Sequence, residues 1–281
     1  MKNNLNSANN INTVLKVAIK DLMLYGNESS PRGLKTKELL NYSMTLTNPL
    51  NSVASLKCRG NIIPYLCGEL LWYFSGSLKA VDIIKYSKFW SKLQNPDGTV
   101  NSNYGYYIFY QKLKKYGNKS QFDWCIDELL KNKDSRAAII NFNQPILHRY
   151  KDIKDQVCTM YLSFLIRENK LHCYTYMRSQ DVILGSFYDI PFFTLLQQML
   201  CLTLQKKYPA LELGDYVHTC TSFHIYEYKF EMATNIIKKN INTNDTISIP
   251  IVDTKFIHDV VYKKRQSALM EFIHNNAKVK I

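Results

Sequence analysis

Apolar residues recur along this chain with two different periods, and the two do not alternate regularly. Residues 14–25 (VLKVAIKDLMLY) put Val14, Val17, Leu22 and Tyr25 at helical spacing, so a helix is expected there. Residues 64–76 are almost continuously apolar and read as a buried helix stopped by Gly76. Residues 121–131 carry the pattern of an amphipathic helix. Residues 187–206 read as a long helix, with Asp189 and Pro191 suiting its N-cap region, and residues 225–239 as a further helix. Strands are expected over 39–46, 137–142, 159–167, 171–177 and 216–223. Glu168-Asn169-Lys170 separates two of them and signals a hairpin. Residues 26–33 read as a loop, and Asn95-Pro96-Asp97-Gly98 as a turn. This irregular mixture points to an α+β fold rather than a doubly wound sheet. No repeat or low-complexity linker interrupts it, so one domain is expected over residues 1–281.

Composition narrows the function. The chain is 46% hydrophobic and 21% charged, as folded proteins are. Its 36 Lys and Arg against 23 Asp and Glu leave a net charge of +13, which suits an anion: nucleic acid, a membrane surface or a phosphorylated small molecule. No RNP motif or concentrated basic tract supports a specific nucleic acid. Lys112, Lys114, Lys115 and Lys119 are the densest cluster and read as a solvated face. The most apolar stretches, 62–74 and 190–204, contain Glu69 and Gln197-Gln198 and fall short of the ~20 residues a membrane span needs. The N-terminal segment is polar and Asn-rich, without the apolar core of a signal peptide, so a cytoplasmic location is expected, that of a host if the protein is viral. The seven cysteines form no CxxC pair, which argues against a zinc knuckle or redox dithiol. Most are expected to be small buried residues, and no metal is implied.

Fingerprints of dinucleotide, Walker-type, zincin and α/β-hydrolase sites are absent. Four weaker features remain. Cys158 precedes a strand beside Asp155 and Gln156; on position alone it reads as a buried strand cysteine. Arg178-Ser179-Gln180-Asp181 follows a strand and could hold phosphate or be a solvated turn. Glu69 sits in the apolar GELLWYF, where a buried carboxyl with raised pKa is an acid/base candidate. His224 and Tyr226 share one face of an extended segment.

Together these features are more specific. Glu69-Leu70-Leu71-Trp72, Tyr104-Gly105, Asp134-Ser135-Arg136, Cys158, the run Arg178-Ser179-x-Asp181-x-x-Leu184-Gly185, Gly214-Asp215 and His224-Ile225-Tyr226 occur in the order of the thymidylate synthase family. The resemblance runs from about residue 14 to about 230, and the ending Ala277-Lys278-Val279-Lys280-Ile281 is similar to the family's apolar tail. It implies an α+β fold with a large twisted mixed sheet, surrounding helices, and the sheet at a homodimer interface. It implies transfer of a one-carbon unit from 5,10-methylenetetrahydrofolate to C5 of a pyrimidine deoxynucleoside monophosphate. Cys158 then matches the nucleophile that attacks C6, Glu69 the glutamate that moves protons through water, and Tyr104 the tyrosine that helps remove the C5 proton. His224 and Tyr226 match the pair on the sugar 3′-hydroxyl. Arg178 and Ser179 match phosphate ligands, Arg136 a phosphate ligand given by the partner subunit, and Arg32 the phosphate-loop arginine. Asp181 matches the aspartate on the folate ring, and Trp90, Gly185 and Ile281 fall at cofactor-binding places.

Two departures point to a subgroup. Asp189 stands where the synthases have a base-reading asparagine, and Thr159 follows the nucleophile where they have histidine. Uracil offers an N3–H donor and an O4 acceptor, which an amide answers; cytosine offers the reverse, which a protonated carboxylic acid answers. Deoxycytidylate hydroxymethylases have Asp and Thr at these places. The resemblance therefore implies dCMP as substrate, with water completing the transfer to give 5-hydroxymethyl-dCMP and tetrahydrofolate, a chemistry suited to a bacteriophage. Ala137 replaces a second family arginine and Arg32 sits one residue closer to its glycine, both of which bear on phosphate binding or the choice of sugar. The alternatives are a methylating synthase acting on dUMP or dCMP, a CMP hydroxymethylase, and a nucleic-acid-binding protein on the same scaffold.

Overall fold

A computed structural model describes residues 6–148, 153–238 and 246–279, without the side chains of Arg32, Ile146 and His148. The chain opens with β1 (Asn6–Ala8), α1 (Ile11–Tyr25), β2 (Asn27–Ser29), β3 (Thr36–Leu46), α2 (Ile63–Ser75), α3 (Ala80–Ile84) and α4 (Gln121–Lys131). It continues through β4 (Ile139–Asn141), β5 (Thr159–Arg167), β6 (Lys170–Asp181), α5 (Ser186–Leu204), β7 (Glu212–Tyr226), α6 (Phe230–Lys238), α7 (Thr254–Tyr262) and α8 (Ala268–Asn276).

The expected α+β class holds: one seven-stranded mixed sheet has the order β1-β3-β7-β6-β5-β4, with β2 pairing on β3. The β5–β6 hairpin is tight. Arg167 pairs with Lys170 across Glu168 and Asn169, both at positive φ, as a two-residue turn between right-twisted strands requires. β6 and β7 run parallel, joined through α5, so both end on the same side of the sheet. Alternation along the strands buries Leu162, Phe164, Leu171, Cys173, Tyr216 and Cys220. The opposite face leaves Tyr161 and Tyr174 exposed and Tyr161 stacked on Tyr176 at 5.7 Å.

Three expectations need correction. In α1 the buried stripe is Ile11, Val14, Leu15, Ala18, Ile19 and Leu22, whereas Val17 and Tyr25 are exposed. The Asn10 side chain caps the helix by accepting from Thr13 N. α5 begins at Ser186, with Gly185 at the cap position, so Asp189 lies within its first turn and is no cap. Pro191 lies inside the helix and costs it one bond, the one that would end on the Phe187 carbonyl. Finally, residues 225 and 226 are strand: β7 stays paired with β3 as far as Thr36 opposite Tyr226, and α6 starts only at Phe230.

α2 matches the expected buried helix, and Gly76 ends it in the left-handed conformation at φ 66°. Five of the cysteines, Cys67, Cys125, Cys173, Cys201 and Cys220, are buried as expected; Cys58 and Cys158 are half-buried. Among the described residues no helix is long and apolar enough to cross a membrane, and no cluster of His, Cys, Asp and Glu could hold a metal.

Candidate active site

The ends of β6 and β7 and the start of β5 bring most of the expected residues together. Thr159 pairs with Met177, so Arg178 lies across from Cys158, and its backbone N–H donates to the Cys158 carbonyl at 2.9 Å. The Arg178 guanidinium donates to the carbonyls of Val157 (3.0 Å) and Gln156 (2.7 Å) and reaches the Cys158 Sγ at 3.5 Å. The sulfur thus faces a fixed positive charge, the surrounding a nucleophilic thiolate needs. Next door, Ser179 pairs with Ser222 and Asp181 with His224 across the parallel strands. His224 and Tyr226 lie edge to face, 5.3 Å between centroids, on one side of β7.

Helix α2 brings further side chains up to Asp189. Tyr65, Glu69 and Tyr73, spaced by four, share one face. The Trp90 indole N–H donates to the Tyr65 oxygen (2.9 Å), and the Tyr65 hydroxyl donates to Glu69 Oε1 (2.8 Å). Burial pushes the Glu69 carboxyl up to about 8, and the nearby Asp189 carboxylate adds to that. Burial likewise pushes Asp189 up to about 7, against the opposing effect of an amide N–H from Gln180 to Asp189 Oδ2 at 2.9 Å. Two interacting carboxyls therefore hold protons near neutrality, as acid–base chemistry at pH 7 requires.

Tyr104 stacks on Tyr73 at 5.3 Å, and its hydroxyl is held well above its ordinary range, first by burial and then by Asp189 and Cys158. The hydroxyl lies beside that of Thr159. Asp155 locks the segment before Cys158 to the segment before Tyr104: its carboxylate accepts from Asn101 N (2.6 Å), Ser102 N (2.8 Å) and the Ser102 hydroxyl. Asp181 Oδ1 accepts from the Ile183 and Leu184 N–H groups at 2.7 and 2.6 Å, while its Oδ2 is buried with no hydrogen-bond partner among the described residues. Such an orphaned acceptor suits a ligand N–H.

Some expected residues stand elsewhere. Arg136 is exposed, just before β4, whose Ile139 pairs with Ser163. The register puts it near the hairpin end of β5, about 25 Å of strand away from Cys158, so the protomer does not bring it to its own site. Arg32 sits in a short helical turn, Pro31–Gly33, beside the β3 end that pairs with Tyr226. Ile281 lies outside the described residues. Trp90 is mostly buried and serves Tyr65. Gly185 makes room for the carboxyl: a Cβ there would come within 2.7 Å of Gln180 Nε2 and 3.2 Å of Asp189 Oδ2.

Sequence reading missed Tyr65, Gln180 and Arg59. Tyr65 could have been found, four residues before Glu69 on the same helix face. Arg59 clasps the β6–α5 turn, donating to the Ile183 carbonyl (2.9 Å) and the Tyr188 hydroxyl (2.8 Å); nothing local marks it.

The family described as Thymidylate synthase matches residues 15–276. The chain belongs to the thymidylate synthase family. It is an enzyme of that family, whose chemistry is one-carbon transfer to a pyrimidine nucleotide. Among curated relatives, the deoxycytidylate 5-hydroxymethyltransferase of Enterobacteria phage T2 is 29% identical over 227 residues, covering 75% of this chain and 87% of the relative. That of Enterobacteria phage T4 is 30% identical over 210 residues, covering 72% and 80%. The deoxyuridylate hydroxymethyltransferase of Bacillus phage SP01 is 26% identical over 249 residues, covering 85% and 63%. The solved thermostable thymidylate synthase A from Bacillus subtilis shares the fold, with TM-score 0.64 and 21% identity over 82% of this chain and 84% of that one.

Proposed function

We propose that the chain is a deoxycytidylate 5-hydroxymethyltransferase: it transfers a one-carbon unit to C5 of dCMP and lets water complete the product. The observation that carries this reading is Asp189, a carboxyl held up to about 7 at the place of a base-reading amide. A neutral carboxylic acid presents a donor and an acceptor together, the complement of N3 and N4–H₂ of cytosine. An ionised one would face uracil O4 acceptor to acceptor, a mismatch of the buried-polar kind that discriminates strongly.

Each remaining group has a part. The Cys158 sulfur adds to C6, and the proton that Asp189 holds at N3 stabilises the charge pushed toward C5. Glu69, held near 8, gives and takes protons close to neutrality. Tyr104, between Cys158 and Asp189, is placed to help remove the C5 proton. Arg178 and Ser179, with Arg32, supply phosphate donors, and His224 and Tyr226 receive the sugar. 5,10-Methylenetetrahydrofolate supplies the one-carbon unit, and the unpartnered Oδ2 of Asp181 fits a donor N–H of its ring. The exposed tyrosine face of the sheet supports a homodimer, in which Arg136 serves the neighbouring site.

The test is to supply dCMP, CMP and dUMP with methylenetetrahydrofolate and identify both products. Hydroxymethyl-dCMP with tetrahydrofolate is expected, and Cys158→Ala abolishes it. Dihydrofolate formed from dUMP would make the chain a methylating synthase. The similarity to the phage SP01 enzyme gives a second reading, hydroxymethylation of dUMP, which the same assay separates.

A further inference from the structure

Gln180 occupies the unspecified position of the Arg178-Ser179-x-Asp181 run, and its side chain is 2% exposed. It lies near the end of β6, opposite Phe223 of β7. After Asp181 the chain turns back into α5, which brings Asp189 over the Gln180 amide. The amide nitrogen donates to Asp189 Oδ2 at 2.9 Å and to the Ser186 hydroxyl at 3.3 Å. The missing side chain of Gly185 leaves the space for both.

An amide NH₂ only donates, so the oxygen it meets must accept. From this we infer that Gln180 is the positioning residue that fixes Asp189 Oδ2 as the carbonyl oxygen, leaving the acid proton on Oδ1. Oδ2 then accepts a second bond from cytosine N4–H₂, and Oδ1 donates to N3. Without Gln180 the acid could present its two oxygens in either order, and the hydrogen bond that favours the productive one would be lost. The inference rests on the cytosine reading above. The titratable groups that face Asp189 are Glu69 and Tyr73 of α2, Tyr104, and Tyr216 and Cys220 of β7. None of these is a fixed donor to Oδ2 like the amide.

The experiment compares the full-length enzyme with Gln180→Met and Gln180→Glu, measuring kcat/KM for dCMP and dUMP from about pH 5.5 to about pH 9. Gln180→Met keeps the length and removes the donor; its dCMP-over-dUMP ratio should fall about tenfold, the worth of one hydrogen bond to an ionisable group. Gln180→Glu donates only while protonated. Its dCMP activity should survive at the acid end and be lost at lower pH than in the wild type as acceptor comes to face acceptor. A purely structural role would lower activity on both nucleotides at every pH and leave the ratio and the profile unchanged; that result, in an enzyme that prefers dCMP, would overturn the inference alone. A wild type that prefers dUMP would overturn the cytosine reading and the inference with it.

Discussion

Asp189, half-buried beside a second carboxyl, and Asp259, buried among backbone and hydroxyl donors, are two aspartates in very different surroundings. Asp259, on the inner face of α7, has one oxygen that accepts from Gln266 N (2.9 Å), Ser267 N (2.7 Å) and the Ser267 hydroxyl (2.7 Å) of the connection to α8. Those donors hold its carboxyl below the ordinary range. Asp189 has a single amide donor among the described residues, a second carboxyl nearby in Glu69, and a pKa pushed up to about 7. Burial raises both carboxyls, and at Asp259 the donors turned toward it outweigh that effect. The fold uses an ionised aspartate as a fastener and keeps a protonatable one at the position proposed to read the base.

The sharpest way to break this contrast is to remove the acid from Asp189. Asp189→Asn turns the donor–acceptor edge into an amide, and preference should swing from dCMP toward dUMP by about 10³-fold or more. An unchanged ratio of kcat/KM for the two nucleotides would mean that the carboxyl does not read the base. Glu69→Gln keeps the hydrogen bond from Tyr65 and removes the proton store. It should lower kcat by about 10²-fold to 10³-fold with a small change in nucleotide KM, as loss of a general acid–base does. Steady-state kinetics that show a raised KM and an intact kcat would instead make Glu69 a binding group.

The same contrast explains what could be read from sequence. Cys158, Arg178, Ser179, Asp181 and His224 were legible only through the order of motifs that resembles the family; the fold gathers them because each lies near a strand end, and pairing places strand ends together. Glu69 was legible because a lone carboxyl in an apolar helix is conspicuous. Gln180 and Arg59 were not, because their partners lie 6 and 9, and 124 and 129, residues away and only the tertiary fold supplies them. The start of α6 was misplaced because Ile225 fits either period; cross-strand pairing with β3 decides for strand. α7 and α8 went unread, although Asp253 and Ser267 cap them and Phe256, Val260, Leu269 and Ile273 mark short apolar pairs four apart. Two turns of helix carry too little pattern to stand out, and their stability comes from packing α8 on α2 and α7 on α5 and α8.

Asp259→Asn tests the fastener. It keeps the shape but weakens the acceptor of three bonds, and should cost about 2 kcal/mol of stability in chemical denaturation with kcat unchanged. A matching loss of activity would tie the α7–α8 connection to the site itself.

The smallest effect separates the two aspartates by sign. Asp259 has a folded pKa below its unfolded value, so its contribution is present above about pH 4 and is lost as pH falls through the folded value. The deficit of Asp259→Asn against wild type should therefore shrink in acid. Asp189 behaves oppositely. Between about pH 4 and about pH 7 the unfolded chain ionises this carboxyl while the folded protein keeps its proton, so the folded state binds more protons and stability falls as pH rises through that window. Glu69, held near 8, extends the same trend. Asp189→Asn removes the Asp189 share, so melting temperatures should move in favour of the variant as pH goes from about 4 to about 7. A difference that stays flat across that window would show that Asp189 ionises with ordinary acidity in the folded protein, and the acid edge proposed for cytosine would lose its proton at working pH.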